Sequence, residues 1–186
     1  MSVKINYTNK ISNKSSANLL LFADEKFSSN SLKKYLSTSE FSYIGDLLKT
    51  SDLKKNMFVF EVNSKRKIIL ISIKKDLKSF DIENLGAEFY GRINYGKNSE
   101  YFINSDSIIS KHENFTGYFL HGLKLKSYEF NKYKTKKETR LISINVLGNK
   151  NKTSVLNQLK FKALEEGIFY ARDLVSEPGN ILHPDE

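Results

Sequence analysis

Three histidines, His112, His121 and His183, are the side chains best suited to ligate a metal or move a proton near neutral pH. His112 and His121 stand nine residues apart with no acid at ligand spacing, and no His-Glu-x-x-His pattern occurs. Each therefore reads as a surface or internally satisfied histidine. The chain has no cysteine, which removes disulfide scaffolds, thiolate-bound zinc and thiol nucleophiles together. Gly86 and Gly91 fall inside a helical pattern, without the third glycine or the preceding strand of a phosphate loop, and there is no Gly-x-Ser-x-Gly elbow. The acidic pairs Asp81/Glu83 and Glu165/Glu166 read as helix-start or solvent-facing residues. No catalytic, cofactor-binding or metal-ligating set emerges.

One basic stretch has a chemistry of its own. Lys124, Lys126, Lys132, Lys134, Lys136 and Lys137 alternate with Tyr128, Phe130 and Tyr133, and Arg140 follows. Lysines attract phosphates in a salt-dependent way, and aromatics between them stack on bases. The plainer reading, which we favour, is that the aromatics close a core while the lysines face water. The formal charge of +9, from 30 basic and 21 acidic residues, invites a nucleic-acid reading. A chain rich in Lys, Asn, Ile, Ser, Tyr and Phe and poor in Arg and Pro reaches such a charge through codon composition alone.

The surrounding elements are those of an α/β domain. Val3, Ile5 and Tyr7 alternate with polar residues as in a half-buried strand. Residues 18–23, Asn-Leu-Leu-Leu-Phe-Ala, form a short continuous apolar run, the pattern of a strand buried on both faces. Residues 24–40 are polar, with Leu32, Tyr35 and Leu36 at the spacing of a short surface helix. Strands are expected over 57–62 and 67–73, the second β-branched and strongly apolar. Phe80, Ile82, Leu85, Phe89 and Ile93 form a helical stripe, with Ala87 alongside. Residues 101–103 suggest a brief strand, Phe115, Phe119, Leu120 and Leu123 a further helix, and 140–147 a last strand. The fold class is α/β, a three-layer sheet with helices on both faces, spanning 1–150. Residues 151–186 make a second unit, a long C-terminal helix over about 154–175 stopped by Pro178-Gly179. At ~1.5 Å per residue it would reach ~33 Å. Its apolar face is read as Leu164, Ile168, Ala171 and Val175. The N-terminus has no signal-peptide pattern, and the longest apolar runs, 19–23 and 68–71, fall far short of the ~20 residues of a membrane helix. A soluble, cytoplasmic protein with no membrane partner is expected.

Two stretches carry a family resemblance. Residues 171–184, Ala-Arg-Asp-Leu-Val-Ser-Glu-Pro-Gly-Asn-Ile-Leu-His-Pro, resemble the ARDLVNxPxNxLTP signature of the leucine (cytosol) aminopeptidases. Ala171, Arg172, Asp173, Leu174, Pro178, Asn180 and Pro184 match it, while Ser176 and His183 depart from it. Residues 122–137 are similar to the family's YxFxxYKTKK segment, in the right order and at about the right distance. The match of 67–73 and 84–87 to the strand and helix upstream is looser, because Ser72-Ile73-Lys74-Lys75 replaces a Gly-x-Gly-Lys.

The resemblance implies an N-terminal α/β domain, similar in fold to macro domains, joined by a linker helix to a metallopeptidase domain. It implies two divalent metal ions (Mn or Zn) in that catalytic domain and none here. It also implies sister subunits of a homohexamer as partners and peptides as substrates, with release of N-terminal amino acids, often leucine, in intracellular protein turnover. None of the family's metal ligands has a counterpart up to Glu186, so this stretch is expected to be inactive, serving assembly and access to the active site. The distal half of the linker helix is expected to be exposed, swapped or frayed. The alternative is a regulatory domain that binds DNA through its basic surface; a site for an ADP-ribose-like nucleotide ranks third.

Overall fold

A computed structural model describes residues 3–8, 17–28, 31–93, 100–135, 141–179 and 181. Its centre is β2 (Asn18–Asp24), where Leu20, Leu21, Phe22 and Ala23 are buried and the side chains alternate between two cores. Leu20 and Phe22 face one layer of helices, Leu21 and Ala23 the other. A strand covered on both faces has no polar side, which is why its sequence reads as an unbroken apolar run. β4 (Arg66–Ile73) runs parallel to β2, Leu19 opposite Ile68 and Asp24 opposite Ile73. β3 (Met57–Asn63) returns antiparallel along β4 through the Ser64-Lys65 turn. On the other side of β2 lie β5 (Glu100–Asn104), β6 (Ile142–Leu147) and the edge strand β1 (Val3–Tyr7), all parallel. Among the described residues the order is β1-β6-β5-β2-β4-β3.

α1 (Thr38–Thr50) covers one face and α2 (Ser79–Ile93) with α3 (Phe115–Lys126) the other, which gives the three layers expected. Leu32, Tyr35 and Leu36 frame a 3-10 turn at Lys33–Tyr35 rather than an α-helix, and the helix of this face begins at Thr38. Its start is a capping box: Ser37 Oγ accepts from the Glu40 amide, and a Glu40 carboxylate oxygen accepts from the Ser37 amide. Glu40 also takes the Arg66 Nε–H at 2.6 Å, tying α1 to β4. Only Ile44 and Leu48 of α1 are fully buried, too thin a stripe to announce the helix from periodicity.

α2 follows its expected stripe except at Phe80, which is 56% exposed. Phe80 sits two residues before Ile82, about 200° round the helix from the buried line. α2 and α3 touch backbone to backbone. A Cβ on Gly86 would lie 1.9 Å from the Phe119 carbonyl oxygen, and one on Gly122 would lie 1.9 Å from that of Glu83. Gly86 thus belongs to a close helix crossing. Beneath it Phe22 packs edge-on to Phe115 and Phe119, both at 5.3 Å.

At the ends of β2 and β5, where chain direction over the sheet reverses, an open α/β sheet offers a ligand crevice. Here the turn at Ser105–Ser107 is bonded to the strands. Ser107 Oγ accepts from the Phe22 amide at 2.9 Å and donates to the Asn104 carbonyl at 2.6 Å.

Candidate functional site

The long helix α4 (Val155–Ser176) runs along α3, and the seam between them gathers most of the residues singled out by sequence. The loop that launches it is tied down first. The single Ser105 hydroxyl proton is shared between the carbonyls of Leu147 and Lys150, which lie 2.8 and 2.6 Å from Oγ, and Asp106 Oδ1 accepts the amides of Asn149 and Lys150. Thr116 Oγ1 donates to the Asn151 carbonyl at 2.6 Å, and Ser154 then caps α4 by accepting the Asn157 amide. One turn on, the Phe161 ring enters a gap over α3 that exists because residue 117 is glycine. A Cβ there would stand 2.5 Å from that ring.

Glu165 occupies the middle of the seam, 4% exposed. His121 Nδ1 lies 3.2 Å from its Oε1 and Lys124 Nζ 2.9 Å from its Oε2, so both carboxylate oxygens are held from α3. A buried carboxylate is tolerable only with such partners. This corrects the solvent-facing reading of Glu165, and it makes His121 an internally satisfied histidine. His112 is satisfied elsewhere, by Ser79 and the Glu113 carbonyl. His183 lies outside the described residues.

The distal half of α4 is clipped by the aromatic, basic segment. The Arg172 guanidinium donates to the Leu125 carbonyl at 2.6 Å and lies 5.5 Å from the Tyr128 ring centre. Tyr128 stacks on Phe169 and donates its hydroxyl to Asp173 at 2.7 Å. Glu177 accepts from Lys132 Nζ at 2.5 Å and from the Tyr133 hydroxyl. The Lys132 and Tyr133 bonds hold the Glu177 carboxyl below its ordinary range, and the same bonds raise the pKa of both donors.

The two motif stretches, 122–137 and 171–184, therefore meet in space. Of the linker motif, Arg172 and Asp173 make the contacts, while Ala171, Leu174 and Pro178 are exposed; Asn180 and Pro184 lie outside the described residues. Of the basic surface, Lys124 and Lys132 are paired to α4 carboxylates, and Lys126 and Lys134 are exposed. Lys136 and Lys137 lie outside the described residues. Among the described residues the stretch forms a seam with α4 and also keeps exposed lysines, a combination that neither sequence alternative contained.

The face of α4 that docks is also not the expected one. Phe161, Glu165 and Phe169 are its buried residues, whereas Leu164 and Val175 are 46% and 87% exposed. A charge at the centre of the buried line breaks the apolar periodicity from which a face is read. On the opposite side Leu156, Leu159, Tyr170 and Leu174 stand exposed in a row. The outer face of the distal half is open, as expected, but the half is clipped at Arg172, Asp173 and the cap residue Glu177.

A second cleft of about 320 Å³ opens beside the end of β4 and the start of α2, lined by Asn56, Lys74, Asp76, Asp81, Asn84 and Glu88. Its acids are exposed or half-buried. Among the described residues no group of three or more His, Asp or Glu side chains is placed to hold a metal ion.

Comparison with known proteins follows this geometry. A probable cytosol aminopeptidase of Ehrlichia ruminantium is 36% identical over 131 residues, 63% of this chain and 24% of the relative. One of Nitrobacter winogradskyi is 26% identical over 132 residues, 64% of this chain and 25% of the relative. The chain is related to the cytosol aminopeptidases. It spans about a quarter of the length of these curated relatives. A tomato leucine aminopeptidase mutant superposes with a TM-score of 0.72 at 19% identity, covering 98% of this chain and 40% of that one. The α/β fold is that of the N-terminal domain of the leucine aminopeptidases. No protein-family model matches the chain.

Proposed function

We propose that residues 1–150 are the non-catalytic N-terminal domain of a leucyl aminopeptidase and that 151–186 link it to a catalytic domain. The observation that carries this reading is the relationship itself: curated relatives named cytosol aminopeptidase share the chain over a quarter of their length. The seam supports it. One face of α4 is bound to the domain by paired charges and rings, while the opposite face presents Leu156, Tyr170 and Leu174 to solvent. A helix apolar on two sides suits a connector packed between two bodies.

On this reading the whole protein is a metal-dependent hydrolase that removes N-terminal amino acids from peptides in cytoplasmic protein turnover, working as a homohexamer. Two divalent ions (Mn or Zn) would then be held in the catalytic domain. No step of hydrolysis is assigned to this chain. Its own task is to fix the direction of the linker and help shape access to the active sites. The DNA-binding alternative has less support, since Lys124 and Lys132 are already engaged with Glu165 and Glu177.

The test is Mn²⁺-dependent release of leucine from a leucyl amide. This chain would be compared with a protein that includes whatever sequence is encoded beyond Glu186. Activity in the longer form alone is the expected result. Activity in neither, or in this chain free of contaminants, would overturn the reading.

A further inference from the structure

β3 ends the sheet, and among the described residues no strand bonds to its far side. Its seven residues, Met-Phe-Val-Phe-Glu-Val-Asn, are mostly apolar or aromatic, with no proline and a bulge only at the Glu61–Asn63 end. Edge strands are commonly short, charged, kinked or covered, because their free N–H and C=O groups template another strand. The opposite edge fits that pattern: β1 has five residues and carries Lys4 and Asn6. β3 does not. Its one charge, Glu61, is already held by Lys67 Nζ at 2.6 Å.

Which groups of β3 face outward follows from its bonds to β4. One step before the Met57–Ile71 pair, the Ser72 amide donates to the Asn56 carbonyl at 2.8 Å. The Lys67 amide, opposite Glu61, turns the other way and donates to Asn18 Oδ1 at 3.0 Å. Bonded and non-bonded pairs alternate along an antiparallel ladder. Phe58 and Phe60 therefore bond to β4, while Met57, Val59 and Glu61 aim their N–H and C=O groups at the edge. The Tyr43 hydroxyl, 3.5 Å from the Glu61 carbonyl, meets that outward side. Val59 is the middle of the row and is 42% exposed.

We propose that β3 pairs antiparallel with β3 of a second copy of this chain, about a twofold axis at Val59, so that two sheets become one. A second copy suits the edge because the outward groups match themselves. With Val59 opposite Val59 of the copy, Met57 faces Glu61 and Glu61 faces Met57. Every outward residue then meets an outward residue and exchanges both bonds. A one-residue slip would set outward groups against inward ones. On the α1 side Phe58 comes opposite Phe60 of the copy, extending a stack whose rings lie 6.0 Å apart within one chain. Glu61 becomes diagonal to position 55 of the copy, a lysine, so the twofold brings opposite charges together at both ends. The proposal stands apart from the aminopeptidase reading, because every group it uses lies in this chain and its test involves no hydrolysis.

The experiment is sedimentation equilibrium of the 186-residue chain, joined to disulfide capture, which has no background because the chain has no cysteine. A weak dimer is expected, with a Kd on the order of 100 µM. Val59→Lys and Val59→Glu each set like charges opposite one another and should weaken it at least about tenfold. An equimolar mixture of the two should restore it, since residue 59 pairs with itself. Val59 is already exposed and its amide is not used by β4, so these variants keep the fold, which circular dichroism checks. Val59→Cys should crosslink under mild oxidation, because bonded antiparallel pairs hold their Cα atoms about 5.5 Å apart, within disulfide reach. Glu61→Cys should not, its two copies lying ~13 Å apart along the strands. Leu156→Glu, on the open stripe of α4, should leave the dimer unchanged. A monomer up to about 1 mM would overturn the proposal and leave the edge to a strand of another protein. Dimerisation that is indifferent to Val59→Lys, lost in Leu156→Glu, or captured equally through Glu61→Cys would overturn it too.

Discussion

Removing the Glu165 carboxylate would leave the Lys124 ammonium and the His121 ring facing a buried gap with nothing to accept from them. Glu165→Ala should therefore cost about 3 kcal/mol, the scale for breaking a buried pair from one side, and Glu165→Gln less, since the amide oxygen still accepts. Urea unfolding of the two variants checks this ordering. Glu177 answers to pH instead. Its folded pKa lies below the ordinary 4.5, so its bonds to Lys132 and Tyr133 stabilise the clip above that value and lose their effect as pH falls through the depressed one. Lys132 and Tyr133 have raised values, so from their side the clip holds below their ordinary 10.5 and 10.0 and is lost as pH rises through the raised ones. A carboxyl ¹³C titration should place the Glu177 midpoint below 4.5, and Lys132→Met should move it back up. None of this was legible in sequence. A glutamate written Glu165-Glu166 on a helix gives no sign of which member faces in, because the answer depends on His121 and Lys124, more than forty positions away.

Elements were easier to read than their faces. β2 and β4 announce themselves because burial on both sides demands continuous apolar side chains, and α3 because Phe115, Phe119, Leu120 and Leu123 all point into one core. α1 escaped notice because Ile44 and Leu48 alone anchor it fully, and the docked face of α4 because its centre is ionic. The α2–α3 crossing supplies a sharp test. Gly86→Ala and Gly122→Ala each push a methyl group into a backbone carbonyl, so each should destabilise by at least about 1–3 kcal/mol, the range for overpacking. Gly91→Ala meets nothing within 4 Å and should stabilise α2 by up to about 1 kcal/mol through helix propensity. Thermal or urea unfolding of the three variants separates steric fit from propensity.

For the molecule as a whole, the seam and the open stripe make separable demands. Leu156→Glu and Tyr170→Glu alter residues that are 77% and 66% exposed, so this chain's stability should change by less than about 0.5 kcal/mol. In the longer protein the same changes should reduce aminopeptidase activity or assembly, because on the proposed reading that stripe faces the catalytic domain. Unfolding curves and leucyl-amide hydrolysis, measured side by side, check both halves. The charge of +9 makes its own prediction. With Lys124 and Lys132 engaged, duplex DNA should be held only at low salt. A slope of log K against log salt near −4 or steeper would instead mean that about four or more phosphates are contacted.

The clips on α4 sit at Phe161, Glu165 and Arg172, which share one face, at Asp173 about 100° on from Arg172, and at the cap residue Glu177. That arrangement treats substitution and insertion very differently. A changed side chain on the outer face disturbs no clip. One residue added between Glu165 and Arg172 would turn everything beyond it by about 100° and advance it by about 1.5 Å. Asp173 and Glu177 would then swing away from Tyr128, Lys132 and Tyr133 together. The spacing inside this helix is thus a phase setting: the domain reads it at both ends, and whatever follows Ser176 inherits its heading.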